Sequence, residues 1–164
     1  MGSSLRQVDK VKIVPALHAS VPSSSTPKYV SLKNYGHVTV VVSFKNATTV
    51  TGSAITLKQA TTVAGAGEKA LAFDTVYACA DDATSVALTE TAVASNTFTP
   101  DATNSKTGLY VIEIEASKLD VAGGFDCFRV ATANATAQTI EVTYLLSGPR
   151  FGGGHSAFAD PLVD

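Results

Sequence analysis

The sequence predicts an all-β protein: an antiparallel β-sandwich, jelly-roll-like, with an extended N-terminal arm and a flexible C-terminal tail. Three observations predict it. Several segments alternate apolar and polar residues with period two. Clusters of Gly, Asn, Asp and Pro separate them at the spacing usual for sandwiches and barrels. Long stretches of helical periodicity are missing.

Residues 1–27 read as the arm. A short apolar patch of Val11, Ile13 and Val14, followed by Leu17, precedes "HASVPSSSTPK", whose prolines and serines oppose regular structure. The patch has something to bury, so the arm is expected to lie on a neighbouring subunit. The sandwich domain is placed at 28–148. In "HVTVVVSFK", Val38, Val40, Val42 and Phe44 share one face, opposite Thr39, Val41, Ser43 and Lys45. "SAITLKQA" sets Ile55 and Leu57 against Thr56 and Lys58. "GLYVIEIEA" sets Tyr110, Ile112 and Ile114 against Val111, Glu113 and Glu115. "QTIEVTYLLS" sets Ile140, Val142, Tyr144 and Leu146 against Glu141, Thr143 and Leu145. One wet face per strand marks antiparallel sheets. Further strands are expected within 70–79, 85–93, 96–99 and 125–133, about eight or nine in all. "ASKLDVAGG" is the one helical candidate: Ser117 can cap a single turn and Gly123-Gly124 stop it. In the tail, 149–164, Pro149 ends the last strand and three glycines free the backbone. Phe151, Phe158, Leu162 and Val163 are left as apolar anchors that can order on a partner.

The composition narrows function. Of 164 residues, 45% are hydrophobic but only 16% charged, against about 25% in typical globular chains. The rest of the surface is Ala, Thr, Ser, Asn and Gly, which suits burial against other subunits. Net charge is −2 and the basic residues are scattered, so nucleic acid is not an expected partner. No window has the roughly 20 apolar residues of a membrane span, and the N-terminus lacks a secretory signal pattern. Synthesis in the cytoplasm is expected.

In "TTVAGAGEKALAF", Gly65 and Gly67 stand before Lys69 as in a phosphate loop. However, the following residues are strand-like, and Ala70 stands where the metal-binding hydroxyl belongs. The glycines are expected to be positive-φ turn positions. His18, His37 and His155 have no second ligand at metal spacing, and Asp81-Asp82 lacks further oxygen ligands for calcium. Glu113 and Glu115 lie on one strand, unlike paired glycosidase carboxylates. Cys79 and Cys127 are expected to be buried reduced thiols, with a cross-strand disulfide as the alternative. No cofactor, metal or catalytic residue is expected.

From "YVSLKNYGHVTVVVSF" through "GEKALAF" and "GLYVIEIEASKLDVAGGFDCFRV" to "LLSGPRF", roughly residues 29–151, the chain resembles head decoration (cement) proteins of tailed bacteriophages. The resemblance implies a β-rich virion subunit on the capsid surface, a dimer or trimer, that binds the major capsid protein and reinforces contacts between capsomers. A tail or head–tail neck subunit is the alternative, and a carbohydrate-binding module a third. Candidate partner contacts are Val11, Ile13, Val14, Leu17, Phe151, Phe158 and Leu162.

Overall fold

A computed structural model describes residues 6–21, 26–133, 135–151 and 158–164. It is an all-β sandwich of two antiparallel sheets. Its eleven strands among the described residues are β1 (Lys12–Ser20), β2 (Val30–Ser31), β3 (Tyr35–Thr51), β4 (Ile55–Ala60), β5 (Lys69–Ala70), β6 (Thr75–Cys79), β7 (Thr89–Ala92), β8 (Thr97–Phe98), β9 (Thr107–Glu115), β10 (Cys127–Thr132) and β11 (Thr136–Pro149). One sheet runs in the order β1-β11-β3-β9-β6-β7. The other runs β2-β10-β4-β5, with β8 also paired to β4. A jelly-roll winding is a finer expectation than two layers, and it is the two-layer sandwich that this strand order carries.

Period-two alternation decides which side chains enter the core. Val38, Val40 and Val42 are wholly buried, as are Ile112, Val142, Tyr144 and Leu146, while their neighbours in sequence face outward. The second sheet answers with Ile55, Leu57, Phe128 and Val130. Phe128 meets Tyr144 edge-on, with ring centroids 5.6 Å apart. The buried Tyr144 hydroxyl accepts from the Val130 N–H at 2.8 Å, so the polar tip of this core aromatic is satisfied across the two layers.

One end of the sandwich is closed by a buried polar network. Asn46 and Gln138 stand opposite each other on β3 and β11. Gln138 Nε2 donates to Asn46 Oδ1 (2.8 Å), and its Oε1 accepts from the Ser53 N–H (3.0 Å). Asn46 Nδ2 donates to the carbonyls of Asp101 and Thr103. Two amides that would be costly to bury alone satisfy each other and two loops.

The helical candidate becomes two single 3-10 turns, Ala116–Lys118 and Val121–Gly123. The cap is Asp120, whose carboxylate accepts from the Gly123 N–H, and not Ser117; Gly124, at φ 81°, closes the second turn.

Two expectations are corrected. Residues 1–27 are not a detached arm over their described part: Lys12–Ser20 is the edge strand β1, paired with β11, and Val14, Ala16 and Leu17 enter the core. Two bulges, after Pro15 and after Leu17, hide the alternation that marks the other strands. Likewise, residues 158–164 are docked on their own domain. The Ser31 N–H donates to the Pro161 carbonyl (2.7 Å), Tyr35 Oη to the Ala159 carbonyl (2.5 Å), and the Val63 N–H to the Asp164 carboxylate (2.8 Å). The free donors of edge strand β2 find an acceptor in a proline carbonyl. Residues 22–25 of the serine-rich run, and the glycine run with His155, lie outside the described residues.

Candidate functional site

On the six-stranded sheet, the parity that buries even-numbered β3 residues sends the odd ones outward. Strand pairing lines these outward residues into rows. One row crosses five strands without a charge: Pro15, Thr143, Val41, Val111 and Tyr77. Beside it run Ile13, Leu145 and Thr39, ending at Glu113. Val41, Val111, Leu145 and Tyr77 are half-buried by their neighbours, and Ile13 is 53% exposed. The charges Glu113, Glu115, Glu141, Lys45 and Glu90 stand at the margins. The result is a broad, neutral, shallow surface.

At one margin three strands bring together residues that spacing along the chain does not associate. His37 Nε2 meets Glu113 at 2.8 Å, and Nδ1 meets Ser147 Oγ at 3.3 Å. Thr39 Oγ1 donates to the same Glu113 oxygen at 2.8 Å. With the proton on Nε2, the ring donates to the carboxylate and accepts from the serine. A serine, base and acid in line also describe a hydrolytic triad. Such a triad acts beside oxyanion donors in a walled site, and here the line lies along a sheet face. The nearby cleft, about 170 Å³, is lined by Phe73, Asp74, Thr75, Tyr77, Glu113 and Lys118, and Ser147 takes no part in it. These bonds tie β11, β3 and β9 together. Sequence reading found no acid for His37 because the partner comes from another strand.

The second sheet carries a charged clamp. Arg129 on β10 donates to Glu68 Oε2 through Nε (3.1 Å) and Nη2 (2.6 Å), Lys58 on β4 lies 3.4 Å from Oε1, and Tyr29 Oη donates at 2.5 Å. The Tyr29 hydrogen bond, with Arg129 and Lys58, holds the Glu68 carboxyl down at about 2 against an opposing cost of burial. Burial first, then the bond to Glu68, pushes the Tyr29 phenol up to about 12. Gly65 and Gly67 are positive-φ turn positions, at 85° and 65°, as expected. A Cβ on Gly65 would sit 3.0 Å from the Tyr29 ring. Lys69 pairs with Asp120 and lies over the Phe125 ring, 3.8 Å from its centroid, so the lysine that suggested a phosphate loop is already engaged.

Other candidates find structural partners. Cys79 and Cys127 are buried free thiols on different sheets. The Cys79 thiol donates to the Ser85 carbonyl, and burial pushes the Cys127 thiol up, away from the thiolate a nucleophile needs. Asp82 accepts from Thr107 Oγ1. Among the described residues no group of three or more His, Cys, Asp or Glu is placed to hold a metal, and no helix is long and apolar enough to cross a membrane.

The seven candidate contact residues do not form one patch. Val14 and Leu17 are buried in the core and are unavailable to a partner, a correction that follows from β1 joining the sheet. Val11 is half-buried, and Phe158 packs edge-on against Tyr35 at 6.5 Å. Ile13, Phe151 (68%) and Leu162 (41%) are exposed. The neutral rows on the large sheet were missed because Thr143, Val41 and Val111 become neighbours only through pairing. Compared with protein-family models, with curated proteins and with solved structures, the chain has no match in any of the three, so its function rests on the geometry above.

Proposed function

We propose that this chain is a virion structural protein, a decoration or cement subunit. In this reading it binds the outer surface of an icosahedral bacteriophage capsid and braces contacts between capsomers of the major capsid protein, as a homo-oligomer. The observation that carries this reading is the uncharged five-strand row Pro15–Thr143–Val41–Val111–Tyr77, with Ile13 and Leu145 beside it. A shallow neutral surface of Val, Thr and Tyr loses little hydration when covered, and it offers shape and area in place of a pocket. Many symmetric copies turn one modest interface into a strong hold on a shell. The sequence resemblance to cement proteins points the same way, and no cofactor or catalytic residue enters the reading.

The test is a reconstruction of purified particles with the copy number measured by mass spectrometry. Hundreds of copies on the outside of the shell are expected. Absence from mature heads, or six to twelve copies at a neck or tail, would overturn the proposal in favour of another place in the virion or none. Val41→Asp, which puts a charge at the centre of the row, is expected to abolish particle binding while leaving the core face of β3 intact.

A further inference from the structure

A β-sheet that ends in an unpaired strand exposes backbone donors and acceptors, and proteins usually blunt such edges. Three of the four edges here are blunted. On β1, Pro15 and two bulges interrupt the edge, and the Lys28 N–H donates to the Ala16 carbonyl (3.0 Å). On β2, Pro161 accepts from Ser31. Edge strand β5 is only two residues long. The fourth edge, β7, is different. Thr89–Ala92 pairs with β6 alone, all four residues are exposed, and no described residue caps its outer side.

We propose that β7 is a self-association edge, where a second copy of this chain adds its own β7 antiparallel across a two-fold axis and joins two six-stranded sheets into one. The β6–β7 pairing sets the register. The Val93 N–H donates to the Asp74 carbonyl, opposite it in the β6–β7 ladder. Hydrogen-bonded positions alternate along antiparallel strands, so Thr91 and Thr89 also bond toward β6, while Glu90 and Ala92 direct their N–H and C=O groups outward. Residues opposite each other across an antiparallel pair share a face, so the two-fold passes through a residue or opposes residues of equal parity. Centring on Glu90 would oppose two like charges and set Ala92 against the second copy's Leu88, which lies outside the strand. Centring on Thr91 opposes Glu90 to the second copy's Ala92, and Ala92 to its Glu90. Every outward group of these residues is then paired, and the two carboxylates are separated. Exposure on both faces of β7 means that the second sheet does not extend beneath it, which leaves room for the two-fold mate. Val86 (82% exposed) and Leu88 (49%), just before the strand, supply apolar surface to flank the seam.

This deepens the homo-oligomer part of the proposed function and rests on that reading only there, since the edge pairs whether or not the larger partner is a capsid. Sedimentation of the full chain over a concentration series tests it. The wild type is expected to be a dimer at about 100 µM, and Ala92→Pro to weaken dimerisation at least about tenfold. That substitution removes one outward N–H per copy, two hydrogen bonds per dimer, and spares the bonds to β6. A second measurement does not depend on that variant folding: Thr91→Cys is expected to form a disulfide-linked dimer under mild oxidation, and Glu90→Cys to cross-link poorly, because it faces Ala92. A monomeric wild type, an undiminished Ala92→Pro dimer, or Glu90→Cys linking as readily as Thr91→Cys would overturn the proposal. Particle binding is read separately: a dimeric wild type that does not bind capsids refutes the capsid reading alone, and a monomeric wild type that does bind them refutes this one alone.

Discussion

Truncation of residues 1–20 distinguishes an arm from a strand. Were the N-terminus a solvated arm, its removal would leave the melting midpoint unchanged. In the structure β1 is a wall of the core: Val14, Ala16 and Leu17 are 4%, 3% and 7% exposed, and the strand pairs with β11 from Lys12 to Ser20. Burying a Val or Leu side chain contributes about 1.5–3 kcal/mol each, so these two residues alone supply about 3–6 kcal/mol. Removing the strand also bares the edge of β11. A domain has only about 5–15 kcal/mol of net stability, so the truncated chain is expected to be largely unfolded or aggregated. Leu17→Ala is the graded version. It is expected to cost about 2–4 kcal/mol and lower the midpoint by about 5–15 °C, whereas Ile13→Ala, on the exposed face of the same strand, is expected to cost under about 1 kcal/mol. Urea and thermal unfolding followed by circular dichroism measure both. A truncated protein that melts like the full chain, or equal losses at positions 13 and 17, would refute the reasoning.

Three other perturbations test the interior and the clamp. Gln138→Ala strands the Ser53 N–H and Asn46 Oδ1 in a buried site and is expected to cost about 3–5 kcal/mol in urea unfolding. A double-mutant cycle with Asn46→Ala is expected to show coupling of about 1 kcal/mol or more. Glu68→Gln tests the clamp through pH. The folded carboxyl is held at about 2, below its ordinary 4.5, so its contribution is fully present above pH 4.5 and fades as pH falls toward 2. With the side chain 31% exposed, solvent screening leaves about 1–2 kcal/mol, so the midpoint gap between wild type and variant is expected at pH 7 and to narrow through pH 4 to 2.5. Gly108→Ala would place a Cβ 2.3 Å from the Cys79 carbonyl oxygen and 2.5 Å from Phe44 Cε1. The strained packing is expected to cost about 2–3 kcal/mol in thermal unfolding.

The faces of the long strands were legible in the chain because side-chain parity in a pleated strand is a local property. "HVTVVVSFK" and "QTIEVTYLLS" state their buried sides outright, and Val38, Val40, Val142 and Tyr144 occupy them. Gly65 and Gly67 were equally plain, since a positive-φ turn is specified within a few residues. The strand β1 was not legible: its bulges, with Pro15 among them, break the alternation, so its place depends on the β11 edge it covers. The docked residues Ala159, Pro161 and Asp164 likewise owe their positions to donors on β2, on Tyr35 and in the 61–68 turn.

The chain by itself determined two sheets with apolar inner faces, because period two needs nothing beyond the residue's own neighbours. Tertiary structure decided who stands beside whom. His37 meets Glu113 and Ser147, Asn46 meets Gln138, and Glu68 meets Arg129 and Tyr29 only after distant strands and turns fall into register. The neutral rows of the large sheet and the bare outer side of β7 arise in the same way. Register and strand order come from the closing of the whole core, and a cross-strand neighbour has no fixed distance along the chain.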